Sequence, residues 1–86
     1  MPTISRFFGI IITMYWKDHG PPHFHAEYGG DEIQVSIRDL RVLKGTFPPR
    51  ALAMVLEWAN DHRADLMEDW ELCQHRTPAK RIAPLS

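Results

Sequence analysis

Residues 23–37 read HFHAEYGGDEIQVSI, and the alternation on either side of Gly29-Gly30 constrains the fold more than any other feature. Phe24, Ala26 and Tyr28 share one parity, and His23, His25 and Glu27 the other. Beyond the glycines, Ile33, Val35 and Ile37 are apolar, while Glu32, Gln34, Ser36 and Arg38 are polar. A period of two is the signature of a half-buried strand, and Gly-Gly between two such runs signals a hairpin. A turn at Gly29-Gly30 sets Phe24 against Val35 and Ala26 against Ile33. A turn at Gly30-Asp31 sets Tyr28 against Ile33 and Ala26 against Val35. Both registers pair apolar with apolar, and a three-residue loop needs a bulge to do the same. The hairpin therefore has a core face and a polar face, the latter carrying His23, His25, Glu27, Gln34, Ser36 and Arg38.

The rest of the chain supplies partners for that core face. From Phe8 to Trp16 the even positions are Phe8, Ile10, Ile12, Met14 and Trp16, which predicts a first strand. A short edge strand fits Arg41–Lys44, ended by Gly45. Pro48-Pro49 opens a helix, since proline is tolerated in a first helical turn. No proline or glycine follows from Ala51 to Gln74, and Leu52, Val55, Leu56, Ala59, Leu66, Trp70 and Cys73 keep helical spacing. Such a helix is roughly 38 Å long at 1.5 Å per residue. A nine-residue strand spans only roughly 30 Å. The helix either overhangs its sheet or bends near Asn60-Asp61. An overhang would expose Leu66, Met67 and Trp70 and favour a homodimer or another partner through the helix end. The expected architecture is α+β: a three- or four-stranded antiparallel sheet packed against one long C-terminal helix. It forms one domain over residues 1–76, with residues 77–86 a flexible basic tail.

Composition closes off several classes. A chain of 86 residues is one small domain. The single cysteine, Cys73, excludes an internal disulfide and a multi-cysteine zinc site. The apolar run at 7–16 is too short to span a bilayer, and no small-residue cleavage site follows it, so a cytoplasmic protein is expected. A net charge of −1 gives no global field to gather RNA. Glu57, Asp61, Asp65, Glu68, Asp69 and Glu71 face only Arg63 within 57–71, which reads as a solvated helix face or a docking surface for a basic partner.

The segment DHGPPHFHAEYGG, residues 18–30, concentrates the chemistry. His23 and His25 lie on one strand face with Cα atoms roughly 7 Å apart. Imidazoles so placed can converge on a metal, with His19 or Asp18 as a third ligand and Glu27 as another candidate. Histidine with carboxylate suits zinc, iron, nickel or manganese. Pro21-Pro22 stiffens the path between His19 and His23. The same histidines, His23, His25 and His19, could instead work as acid and base beside Arg38, with Lys17, Arg6 and Tyr15 as neighbours, as a small ribonuclease requires. The plainest reading is a polar sheet face whose histidines are either solvated or hydrogen-bonded to Glu27, Ser36 and Asp18.

The stretches MPTISRFFGI, DHGPPHFHAEYG and RALAMVLEWANDHRADLMEDW resemble the small bacterial proteins grouped as domain of unknown function 4160. The resemblance runs from Met1 to about Trp70 and centres on Asp18, His19, Pro21, Pro22, His23, Phe24, His25, Tyr28 and Gly29. It implies a compact antiparallel sheet with helix. It also implies a small partner protein, since some members are named as DhiT-like toxins of toxin–antitoxin pairs. No catalytic residue comes with the family. The functional expectation is a toxin acting through the His-rich sheet face. The alternative is a non-enzymatic binding module, with a transition metal such as zinc in the histidine cluster.

Overall fold

The computed structural model describes residues 3–86. Five strands, β1 (Thr3–Phe7), β2 (Ile10–Thr13), β3 (His23–Tyr28), β4 (Asp31–Ser36) and β5 (Val42–Gly45), precede two helices, α1 (Pro49–Asp61) and α2 (Arg63–Gln74). The strands form one antiparallel meander in chain order. The class is α+β as expected, but the sheet has five strands where three or four were expected, and two helices replace the single long one.

The extra strand comes from a turn at Phe8-Gly9. Both residues have positive φ, 50° and 80°, and Phe7 pairs with Ile10 across them. Two left-handed residues in sequence make a tight hairpin turn, which glycine supplies without strain. The turn takes the first two residues of the run expected as one strand, which is shortened to Ile10–Thr13, and Phe8 and Trp16 lie at 60% and 50% exposure rather than on the apolar face. In the second hairpin the turn is at Gly29-Gly30, with Phe24 opposite Val35 and Ala26 opposite Ile33. Tyr28, expected in the core, is exposed at the hairpin end. The edge strand β5 falls where expected, and Gly45 closes it. A Cβ at Gly45 would overlap the Glu32 carbonyl, and its φ of +86° suits only glycine well.

The helix breaks at His62, whose φ of −126° and ψ of 26° lie outside helical values. Asn60, Asp61 and His62 are three poor helix formers in succession, so the break falls where helix continuation gains least. The His62 N–H bonds back to the Ala59 carbonyl, and the His62 carbonyl accepts the Leu66 N–H to restart the helix. Beyond the break, Leu66 and Trp70 are buried and Met67 is half-buried, so the apolar overhang does not form.

The core lies between one sheet face and the helices. Ile10, Ile12, Phe24, Ala26, Ile33 and Val35 are buried with Ala51, Val55, Trp58, Leu66 and Cys73. Trp58 is the largest fully buried side chain, with its ring 5.4 Å from Phe7 and 5.9 Å from Phe24. Its indole N–H donates to the Ala83 carbonyl at 2.8 Å. That contact belongs to the segment expected as a flexible tail. Residues 77–86 carry no helix or strand, but the Ile82 N–H donates to the Ile4 carbonyl at 2.8 Å and Ile82 is buried. The Lys80 N–H donates to Asp69 Oδ1 at 2.8 Å. The tail thus lies along the outer edge of β1.

Candidate functional site

The sheet face away from the hydrophobic core carries Thr13, His25 and Gln34 as cross-strand neighbours, with His23 opposite Ser36. The plainest reading had this face solvated. Instead Thr13, His23, His25 and Ser36 are buried, with His23 at 4% and His25 at 7% exposure. Two elements account for this. The loop from Tyr15 to Pro22 brings the Tyr15 ring edge-on to His25, with centroids 4.6 Å apart. The Trp70 ring of α2 lies 5.3 Å from the His23 ring.

The loop is anchored at several points. The Lys17 N–H donates to the Cys73 carbonyl at 3.2 Å, with Lys17 itself at a φ of 55°. Gln74 Nε2 donates to the Asp18 carbonyl at 3.2 Å. The Ile37 N–H donates to the Pro22 carbonyl at 3.0 Å. These bonds deliver the Asp18 carboxylate to the two imidazoles. Its Oδ2 lies 2.9 Å from His23 Nε2 and 2.9 Å from His25 Nε2. The backbone N–H of His19 donates to its Oδ1 at 3.1 Å.

The outer ring nitrogens are also engaged. His23 Nδ1 lies 2.9 Å from the Pro21 carbonyl oxygen, and His25 Nδ1 lies 3.1 Å from Glu32 Oε2. Every oxygen in these four contacts is an acceptor when the carboxylates are ionised. A neutral imidazole carries one N–H. Two neutral rings therefore supply two protons for four contacts. If each Nδ1 carries its proton, both Nε2 lone pairs face the negative Asp18 oxygen, an arrangement that a metal ion between them would satisfy.

The electrostatics of Asp18 fit a site that favours charge. Burial works against its ionised form, but the His25 hydrogen bond, the charge of His23 and the His19 N–H together hold its carboxyl below the ordinary value.

Of the residues expected to act, Asp18, His23 and His25 come together, each offering a donor atom within 4.8 Å of the others. His19 stands beside them but is exposed, and its bond to the cluster is through its backbone N–H. Arg38 is exposed in the turn after β4, where its carbonyl accepts from Arg63. Lys17 and Arg6 are exposed, and Glu27 is half-buried, opposite Glu32. Glu32 was not among the expected site residues. The signal for it was present, because Glu32 has the parity of Gln34 and the Gly29-Gly30 register brings it diagonally past His25.

An antiparallel five-stranded α+β domain with two buried histidines bonded to a half-buried aspartate of its first long loop defines the class. The chain belongs to the family described as domain of unknown function DUF4160, which matches residues 9–71 and so includes the whole cluster. Neither the curated proteins nor the solved structures include a match to the chain. Among the described residues, no helix is long and apolar enough to cross a membrane.

Proposed function

We propose that the protein works as a transition-metal-binding domain, with the ion held by Asp18 Oδ2, His23 Nε2 and His25 Nε2. The observation that carries this reading is the state of the outer nitrogens. Ligating histidines almost always donate their other N–H to a carbonyl or carboxylate, and Pro21 and Glu32 offer one of each. The separation of 2.9 Å between Oδ2 and each Nε2 is also suitable. Donors about 2.1 Å from one ion stand roughly 3 Å apart at the right angles of octahedral coordination, and somewhat wider apart in a tetrahedral zinc site. Two histidines and one carboxylate suit zinc, iron or manganese, and leave positions for water or a further ligand. Such an ion acts as a Lewis acid or lowers the pKa of bound water. The chain's own part is to hold the three donors at fixed spacing and to limit solvent access to the Asp18 side, where the carboxylate is 28% exposed.

The acid–base reading gains less. His23 and His25 are buried, and its other members, His19 and Arg38, are exposed.

The test is metal titration of chain purified without a histidine tag, by calorimetry with zinc and by cobalt(II) absorption. One ion per chain is expected. Asp18→Ala and His23→Ala should abolish binding while circular dichroism shows a retained fold. Failure of the wild-type chain to bind any of zinc, cobalt(II), iron(II) or manganese(II) overturns the proposal.

A further inference from the structure

The hairpin places Glu27 directly opposite Glu32. Like charges facing each other across an antiparallel pair destabilise it. A threonine at position 32 would remove the repulsion and has the higher strand propensity. Packing does not explain the glutamate either, because its side chain is half exposed. What Glu32 does have is the contact of its Oε2 with His25 Nδ1 at 3.1 Å.

We infer that Glu32 is a positioning residue of the metal site, fixing the His25 ring so that Nε2 turns its lone pair to the ion. This rests on the metal-binding reading above. The two histidines are held differently. His23 is oriented by the Pro21 carbonyl, which belongs to the backbone and stays whatever the side chains. His25 is oriented by a side chain from the neighbouring strand. The Gly29-Gly30 turn sets that position, since a one-residue slip would carry Glu32 to the other face. A charged acceptor also strengthens the ring as a ligand more than a neutral one does. The hairpin thus retains an unfavourable charge pair that serves the site.

The distinguishing measurement combines affinity with metal-free stability. Glu32→Thr should weaken cobalt(II) binding by about 10–100-fold, the usual loss when such an outer partner is removed. The visible absorption of the bound cobalt(II) should change with it. The thermal midpoint of the metal-free chain should change little, because the repulsion with Glu27 and the contact with His25 are lost together. Glu32→Gln keeps an acceptor oxygen at the same reach and should recover part of the affinity. A Glu32→Thr chain that binds cobalt(II) as tightly as wild type overturns the inference and leaves the metal site standing. Weaker binding with a lowered metal-free midpoint also overturns it, because the glutamate would then be supporting the fold. A wild-type chain that binds no metal removes both readings together.

Discussion

Ile82→Ala is the sharpest test of the fold, because it acts on a segment whose sequence gives no reason to expect structure. Ile82 is 6% exposed, and its N–H bonds to Ile4 on the edge of β1. Truncating a buried isoleucine to alanine costs about 2–5 kcal/mol. The tail is peripheral and can relax around the gap, so the low end applies, about 2 kcal/mol. A chain of this size is stable by only roughly 4–13 kcal/mol. The loss is therefore a large share of the whole. It should lower the thermal midpoint by about 8–16 °C, at about 4–8 °C per kcal/mol for a small domain. In urea the midpoint should fall by about 1 M. Tryptophan fluorescence is a suitable probe, because Trp58 is fully buried and donates its N–H to Ala83, one residue past Ile82. Unfolding curves of the two chains that superimpose would refute the docking of the tail. Pairing the change with Trp58→Phe in a double-mutant cycle should reveal coupling, since both act on the docking of the same short segment.

Two further outcomes follow from the charges and from the family resemblance. Asp69 is buried, its Oδ2 has no hydrogen-bond partner, and burial raises its pKa above the ordinary 3.8 despite the Lys80 N–H. The unfolded chain therefore gives up this proton first, and stability falls as pH rises from about 3.8 through the folded value. Asp69→Asn should gain stability over wild type as pH goes from acid to neutral, by urea unfolding; an advantage that does not grow with pH would contradict this. The toxin role that the resemblance implies predicts that inducing the chain slows bacterial growth and that His23→Ala relieves it. Normal growth at high expression would count decisively against that role.

The sequence and structure agree where one parity governs several residues. The β3–β4 hairpin was legible because alternation, turn residues and cross-strand matching all point the same way. The turn at Phe8-Gly9 was not, because a glycine inside an apolar run fits the polar side of a strand equally well. Phenylalanine at a positive φ is also an unusual choice for a turn. The break at His62 was foreseen only as one of two outcomes near Asn60-Asp61, since weak propensities permit a kink that tertiary contacts must select. In the site, alternation joined His23 to His25, and the stiff loop made Asp18 a candidate third donor. Parity alone could not distinguish a solvated face from a covered one. The cover comes from Tyr15 and Trp70, and Trp70 reaches His23 only because the helix folds back.

The strap along β1 bears on the order in which the chain can fold. The meander is built from neighbouring strands, so its hairpins close small loops and can form early. The strap joins the two ends of the chain: Arg81 bonds to the carbonyl of Thr3 across 78 positions. During synthesis the N-terminal strands emerge first, well before the residues that bond Trp58 and Asp69. Until they leave the ribosome, a buried indole N–H and a buried carboxylate lack their partners, and the outer edge of β1 is open to any passing strand. The interval most open to misassembly is therefore the one before residues 80–83 dock on β1 and the helices.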